Sequence, residues 1–403
     1  MREVIILGST GSIGTQALEV IAANRECYQV RALVAGGAHL ELLVVQAGEF
    51  AVTQVGIART GLADEFRRIW AAQYGSRPCP EISSGAAGIA QIAGSGNENT
   101  VVLNGITGSV GLAPTLAALE SGAVLALANK ESLVAGGALV QTAMRRPGQI
   151  VPVDSEHSAI AQALRAGRHH RGLTVPEVDG SSEVAKIILT ASGGPFRGKK
   201  CSELTDITPA QALRHPTWQM GPVVTINSAT LFNKALELIE AAYLFDIAPN
   251  DIIPVVHPQS IVHSMVQFSD GSTIAQASPP DMKLPIALGL SWPERLEQIA
   301  QPCVWDRALS WEFEPVDLET FPAINLARAA LQESPLHPAV MNAANEECVA
   351  AFIAGKLSYL GIMEIVAQVL ADFRGFDVLT LESVHESEAW ARDYANQLIG
   401  AKI

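Results

Sequence analysis

The chain is short of basic residues, of paired cysteines and of uninterrupted apolar stretches, and each shortage closes off a class of protein. Lys and Arg number 27 against 41 Asp and Glu, a net charge of −14. With no long basic run to offset that balance, nucleic acid is not expected as a partner. The five cysteines, Cys27, Cys79, Cys201, Cys303 and Cys348, are scattered and form no CxxC pair. That argues against a disulfide framework or a zinc site and fits a reducing cytoplasm. The most apolar stretch, from Ala123 to Val140, is broken by Lys130 and Glu131, so no segment is expected to span a membrane. Met1-Arg2-Glu3 leads straight into a strand, so no signal peptide is expected. There is no internal repeat and no low-complexity segment. What the chain does have is length, 403 residues, and a 48% hydrophobic content, enough for two or three domains with real cores.

Val4-Ile5-Ile6-Leu7 reads as a buried parallel strand. It runs into Gly8-Ser9-Thr10-Gly11-Ser12-Ile13-Gly14, and a helix is expected from there to about Asn24. Glycines between a strand and a helix let the backbone approach a pyrophosphate, and the helix N-terminus attracts it. The spacing is GxxGxxG, a relative of the dinucleotide fingerprint, in the context that fingerprint requires. An isolated tight turn is the plainer alternative. At the end of the next strand an NAD enzyme usually places an acid for the ribose hydroxyls. Here stand Ala35-Gly36-Gly37-Ala38-His39. No carboxylate repels a 2′-phosphate, so NADP is favoured, but no cation stands there either. Arg31, His39 and Arg59 are candidates for it, and each could equally be a surface residue.

Further strand–helix units follow. Ala123 to Ala128 is a strand ending in Asn129-Lys130-Glu131-Ser132, and ligands sit beyond strand carboxyl ends in such sheets. Gln149 to Val153 reads as another strand, with Asp154-Ser155-Glu156-His157 at its end. If the chain stays extended, Asp154 and Glu156 share a face with Ser155 opposite. Two convergent carboxylates call for a divalent cation, and all-oxygen ligation favours Mg²⁺ or Mn²⁺. A solvated acidic turn is the alternative.

Past this point the chain is polar around Arg168-His169-His170-Arg171, where both histidines read as solvated loop residues. A strand ends in Ser192-Gly193-Gly194-Pro195, a plausible phosphate contact. His215 and Trp218 fall in a long mixed segment that reads as a lid, with an anchored core tryptophan as the alternative. Asn227-Ser228-Ala229-Thr230 is expected to cap a helix reaching about Ala242. On that helix Asn233, Lys234 and Glu237 share one face. Lys234 and Glu237 could be a surface ion pair. Equally, Ser228, Asn233 and Lys234 could bind an anion while Glu237 adds a third carboxylate to the metal. Asp270-Gly271 marks a hairpin, and such a paired sheet can carry a dimer interface. Residues 302–316 read as a linker, and helical periodicity fills the rest, as in a small helical bundle.

Several of these stretches together are similar to the 1-deoxy-D-xylulose 5-phosphate reductoisomerase family. They are Gly8 to Gly14, Ala128-Asn129-Lys130-Glu131-Ser132-Leu133, Pro152-Val153-Asp154-Ser155-Glu156-His157, Ser192-Gly193-Gly194-Pro195-Phe196, Asn233-Lys234 with Glu237, and His257-Pro258-Gln259-Ser260. They occur in family order across essentially the whole chain. The resemblance implies an α/β fold: an N-terminal Rossmann-like parallel sheet over residues 1–153, a central catalytic and dimerisation domain over 154–301 with a flap at about 192–222, the 302–316 linker, and a C-terminal helical bundle over 317–403.

It also implies a cytoplasmic homodimer that converts 1-deoxy-D-xylulose 5-phosphate to 2-C-methyl-D-erythritol 4-phosphate. The cofactors would be NADPH and Mg²⁺ or Mn²⁺, the pathway non-mevalonate isoprenoid synthesis, and the inhibitor fosmidomycin. Asp154, Glu156 and Glu237 match the metal ligands, and Lys130 and Ser155 the groups at the substrate oxygens. Ser192, Ser228, Asn233 and Lys234 match the phosphate site, with His215 beside it and Trp218 in the flap. Gly8, Thr10, Gly11, Ser12, Ile13, Gly36, Gly37, Ala38, Asn129, Glu131 and Gly221 fall where the cofactor is held. Many relatives carry a basic-polar pair where this chain has Gly37 and Ala38. A plain NADP-dependent dehydrogenase and a non-catalytic NADP sensor remain the alternatives. Neither gives a use for three carboxylates beside a phosphate site.

Overall fold

The computed structural model describes residues 1–214, 221–376 and 378–402. Among these residues the chain first alternates strand and helix: β1 (Arg2–Leu7), α1 (Ser12–Ala22), β2 (Tyr28–Ala35), α2 (Leu40–Glu49), β3 (Gln54–Ile57), α3 (Ala63–Tyr74), β4 (Glu81–Ser84), α4 (Gly85–Ala93), β5 (Thr100–Asn104), α5 (Leu112–Glu120), β6 (Val124–Leu127), α6 (Lys130–Ala143) and β7 (Ile150–Pro152). These strands form one sheet in the order β4-β3-β2-β1-β5-β6-β7, and every pairing is parallel. Val4 to Leu7 are buried on both faces, which is why the run shows no polar alternation. The strand order reverses between β1 and β5, and a crevice for ligands opens at the carboxyl ends there.

The second half continues with α7 (Ser155–Leu164), β8 (Val184–Ala191), α8 (Pro209–Ala212), α9 (Pro222–Ala229), α10 (Phe232–Phe245), β9 (Ile252–Val256), β10 (Val262–Phe268), β11 (Thr273–Ala277), α11 (Lys283–Ser291) and β12 (Glu314–Pro315). The second sheet runs β11-β10-β8-β9-β12. Its β8/β9 pair is parallel and its other pairs antiparallel. The Asp270-Gly271 turn joins β10 and β11 as the sequence suggests. The segment read as a linker contributes β12, which pairs with β9. Four helices close the chain: α12 (Ala323–Glu333), α13 (His337–Ile353), α14 (Tyr359–Asp372) and α15 (Leu381–Lys402).

Two apolar cores cross the boundaries expected from the linear sequence. One face of the first sheet is covered by α1, α2, α3 and also α11, whose Ile286, Ala287 and Leu290 join Val4, Ile6 and Val151. Gly289 permits this contact, since a Cβ there would lie 2.7 Å from Val153 Cγ2. The other face shares a core with α10, the second sheet and α12–α15. α10 packs on α6, so residues just after β6 and β7 meet it, and the site forms at that junction.

Candidate active site

The glycine loop after β1 is shaped by contacts only glycine allows. Gly8 has φ +87° and its N–H donates to Val34 O at 2.8 Å. A Cβ there would lie 2.7 Å from Gly105 O, and one at Gly14 would lie 2.3 Å from Gly8 O. The loops after β1 and β5 therefore touch across the switch point, and α1 begins at Ser12 directly after the first of them. Asn129 braces the second loop. Its Nδ2 donates to Ile106 O at 2.7 Å, to Gly108 O at 3.0 Å and to Glu131 Oε2 at 3.0 Å. Glu131 accepts from the Gly108 N–H at 3.1 Å. Gly221, also expected at the cofactor, is the exposed N-cap residue of α9.

Asp154 and Glu156 converge, but not as extended chain. Asp154 is the N-cap of α7 and accepts from the Glu156 N–H at 3.1 Å, so Glu156 sits in the first helical turn. An Asp followed by an acid two residues on satisfies helix-start chemistry as well as strand alternation, and here the helix prevails. Glu237 comes from α10, and Lys130 from the first residue of α6. Lys130 Nζ donates to Asp154 Oδ2 at 2.9 Å, Glu237 Oε1 at 3.0 Å and Asn233 Oδ1 at 3.2 Å. Lys234 Nζ donates to Glu156 Oε1 at 2.6 Å and also to Glu237 Oε2. Ser155 Oγ donates to Glu156, and Asn233 Nδ2 to Glu237. Glu237 is 1% exposed and Lys234 4%, so the surface ion pair is set aside.

His157, given no role from the sequence, and Glu240, not noticed there, complete the cluster. His157, fully buried, binds the Glu237 carbonyl through Nε2 at 2.9 Å. Its Nδ1 lies 3.2 Å from both Asp154 Oδ1 and Glu240 Oε2, shared between them and aligned with neither. Glu240 follows Glu237 by three residues, a spacing that puts it on the same helix face. That was the signal available for it. Burial opposes the imidazolium, but Glu240 and Asp154 outweigh it and raise His157 to about 9. Burial pushes Glu156 up to about 7, with Glu237 adding to the rise. Glu240 is likewise pushed up to about 7, chiefly by burial. Burial also works against ionised Asp154, yet Lys130 and His157 hold it well below the usual carboxylate range. Lys130 stays an ammonium because Asp154 and Glu237 outweigh its desolvation.

Oxygens of Asp154, Glu156 and Glu237 all lie within 4.8 Å of one another. This all-oxygen set, with Lys130 and Lys234 beside it, suits a hard dication such as Mg²⁺ or Mn²⁺. Asp154, His157 and Glu240 are equally close. There His157 Nε2 already binds the Glu237 carbonyl at 2.9 Å, and only Nδ1 faces the two carboxylates, a mixed nitrogen–oxygen set unlike the all-oxygen one.

The remaining expected residues fall less tightly. Ser192 begins the turn after β8, where Gly193 and Gly194 take φ +86° and +64°. A Cβ at Gly194 would lie 2.8 Å from Ser228 O, so this turn is seated on the end of α9. Ser228 is thus at a helix C-terminal end, not an N-cap. The helix expected after Thr230 is α10, but its N-cap is Leu231, left-handed at φ +57°, and the residues read as the cap close a separate helix, α9. Asn233 and Lys234 do lie in the first turn of α10. The expectation for His169 is corrected. It is 4% exposed, bound to Ser182 Oγ and Phe245 O at 2.8 Å each, because its loop crosses the end of α10. His170 stays on the surface with Asp179 at 3.1 Å. His215 and Trp218 lie outside the described residues.

At the cofactor edge, Gly37 has φ +101°, and a Cβ there would lie 2.7 Å from Leu62 Cδ1. Gly36 and Ala38 are exposed. Arg31 turns toward the amino ends of the strands, donating to Ser95 O at 2.8 Å and reaching Glu3 Oε2 at 3.5 Å. It is therefore removed from the candidates for the 2′-phosphate.

Three family models match the chain. They describe a 1-deoxy-D-xylulose 5-phosphate reductoisomerase domain over residues 4–137, the C-terminal domain of that reductoisomerase over 150–245, and a DXP reductoisomerase C-terminal domain over 277–394. A protein of that name from Beutenbergia cavernae is 59% identical over 400 residues, covering 99% of this chain and 97% of its own. One from an Arthrobacter species is 56% identical, covering 97% and 96%. The Zymomonas mobilis enzyme solved with NADPH superposes with a TM-score of 0.88 at 38% identity, covering 99% of each chain. A DOX-P reductoisomerase solved with NADPH, fosmidomycin and magnesium gives 0.88 at 34% identity, covering 99% of this chain and 98% of that one.

Proposed function

The chain belongs to the 1-deoxy-D-xylulose 5-phosphate reductoisomerase family, and from that premise we propose how its own residues serve the family's reaction. The protein is an enzyme that rearranges 1-deoxy-D-xylulose 5-phosphate and reduces it to 2-C-methyl-D-erythritol 4-phosphate. Its cofactors are NADPH and a divalent metal, Mg²⁺ or Mn²⁺, in keeping with the ligands of the solved relatives. The observation that carries the reading is the convergence of Asp154, Glu156 and Glu237 around two lysines at the carboxyl edge of a nucleotide-type sheet.

In this reading Asp154, Glu156 and Glu237 hold the metal. When bound, the metal supplies Lewis acidity toward the substrate's oxygens, and NADPH supplies the hydride. Lys130 keeps its proton on Nζ and directs it at an oxygen that gains negative charge while a carbon–carbon bond breaks. The Ser155 hydroxyl orients a neighbouring substrate oxygen. Ser192, Ser228, Asn233 and Lys234 take the phosphate, with His215 and Trp218 in the covering segment. Phosphate binding remote from the reacting carbons can drive closure over the site and exclude water. His157 and Glu240 hold Asp154 and the backbone of Glu237 in place.

The Gly8–Ile13 loop seats the pyrophosphate, and the Asn129–Glu131 brace shapes the loop beside it. Gly36, Ala38 and Gly221 offer backbone to the cofactor. The proposal includes a homodimer, for which the outer strand β11 is a suitable edge, and a cytoplasmic location. Among the described residues no helix is long and apolar enough to cross a membrane. The direct test follows NADPH oxidation with 1-deoxy-D-xylulose 5-phosphate and Mg²⁺, with identification of the product. Turnover should be abolished by a chelator and inhibited by fosmidomycin. Metal-independent oxidation of NADPH would instead support a plain dehydrogenase.

A further inference from the structure

This inference rests on the NADPH reading and concerns how the chain recognises its 2′-phosphate. The end of β2 carries no cation, and the backbone explains why none can stand at position 37. Gly37 is in a conformation that favours glycine, and its Cβ direction is filled by Leu62 Cδ1 at 2.7 Å and Ile57 Cγ2 at 3.2 Å. The neighbouring strand supplies what β2 does not. Parallel pairing sets Ala35 of β2 beside Ile57 of β3. Beyond the strand ends the pairing continues, with the Ala58 N–H donating to Ala35 O at 2.9 Å and the Arg59 N–H to Gly36 O at 3.2 Å. Arg59 Cβ lies 3.4 Å from the Cβ position of Gly37. Arg59 is therefore fastened to the turn where the adenosine ribose of a dinucleotide lies in this fold.

Its charge is also uncommitted. Arg59 is exposed, and among the described residues it forms no ion pair. The acids that begin α3 are engaged elsewhere: Asp64 with Arg67 at 2.7 Å, and Glu65 with Arg68 at 3.9 Å. A permanently charged fork beside a turn without carboxylates is what a phosphate monoester needs. We infer that Arg59, at the end of β3, reads the 2′-phosphate of NADPH in this chain. It would be a specificity residue in place of the basic side chain that positions 37 and 38 lack.

The test measures binding, not turnover. Dissociation constants for NADPH and NADH are read by nucleotide fluorescence on the full-length protein without substrate. Adenosine 2′,5′-bisphosphate and AMP serve as displacing probes. Arg59→Gln should weaken NADPH and the bisphosphate about tenfold to a hundredfold, the range of a charge-assisted contact, and leave NADH and AMP unchanged. Arg59→Lys should restore much of the difference, and the salt dependence of NADPH binding should flatten in Arg59→Gln. An unchanged NADPH-to-NADH ratio in Arg59→Gln overturns the inference, as does a collapse of the ratio in His39→Gln alone. If the wild type binds NADPH with Arg59-dependent preference yet turns over no 1-deoxy-D-xylulose 5-phosphate, the assigned reaction fails and the role of Arg59 stands. If the wild type binds no NADPH, both fall.

Discussion

Glu237 and Arg59 lie on opposite flanks of the same crevice, and the protein treats their charges in opposite ways. Glu237 is 1% exposed and meets Lys130, Lys234 and Asn233. Arg59 is exposed and, among the described residues, has no ionic partner. On the inner flank Lys130, Asp154, Glu156, Lys234 and Glu237 each have two or more partners, so desolvation is offset only while the set is complete. On the outer flank the solvent carries most of the cost, and one residue can change without disturbing the rest. The inner flank should therefore show coupled and salt-insensitive effects, and the outer flank separable and screened ones.

The largest effect is expected at the inner flank. Glu237→Gln keeps the size of the side chain but removes the carboxylate shared by both lysines. Losing a charge from a preorganised site weakens transition-state stabilisation, and kcat should fall about a hundredfold to a thousandfold. Part of the loss should return at high Mg²⁺, while NADPH binding stays near wild type. Wild-type kcat and metal affinity in Glu237→Gln would show that the cluster is not a working unit.

Lys234→Ala comes next. It removes a cation expected at the substrate phosphate and also leaves Glu156 and Glu237 short of a donor. A charge-assisted contact contributes ~1.5–3 kcal/mol, so KM should rise about tenfold to a hundredfold. The thermal midpoint of the metal-free protein should fall, and Mg²⁺ should restore it more than it stabilises the wild type. Additive losses in the double variant Lys234→Ala/Glu237→Gln would contradict the coupling.

How far the sequence exposed each flank follows from the same difference. Glu237 and Lys234 were recognisable because helix spacing puts them on one face, and the β1 loop because its glycines stand between strand and helix. Asp154 and Glu156 were expected to converge for the wrong local reason, since an N-cap and a strand end share the same residues. Glu240 was passed over although it continues the Glu237 face. Its importance comes from His157, a residue 83 positions earlier (240 − 157) brought beside it by tertiary packing. α9 was missed because Asn227-Ser228-Ala229-Thr230 reads as a cap, and the turn between the two helices is made by Leu231 at φ +57°, which leucine rarely adopts. The cover of the first sheet by α11 is likewise a long-range contact that no local pattern encodes.

A smaller effect tests the inner flank through pH. Glu156 and Glu240 are raised to about 7 from the ordinary glutamate value of 4.5, and His157 to about 9 from 6.5. Between pH 4.5 and 7 the folded state holds more carboxyl protons than the unfolded state, so these two acids lower stability as pH rises. The stabilisation from protonated His157 is full below 6.5 and is lost as pH rises through about 9. Both terms have the same sign. The metal-free protein should lose thermal stability from pH 6 to 9, and Mg²⁺ should stabilise it increasingly over that range, because its ligands bind as carboxylates. Stability of the metal-free protein that rises across the range would contradict this account of the cluster.

The smallest effect belongs to the outer flank, and it is the one that isolates screening. Gly37 is unsuitable for a charge insertion, because φ +101° and the Leu62 contact would add strain to any change in charge. Ala38 is exposed and is not among the positive-φ residues, so Ala38→Asp alters charge with little else. An exposed charge interaction contributes ~0.2–1 kcal/mol, so the preference for NADPH over NADH should shrink only about twofold to fivefold. Charges in water are screened beyond a Debye length of about 8 Å at physiological ionic strength. The Ala38→Asp effect should therefore fade as salt is raised, while the loss in Glu237→Gln, set in a buried cluster, should not. The comparison needs the NADPH-to-NADH ratio of binding constants for Ala38→Asp, and kcat for Glu237→Gln, each across one salt series. If both respond to salt alike, the two flanks do not differ in dielectric environment, and the contrast drawn from their burial is wrong.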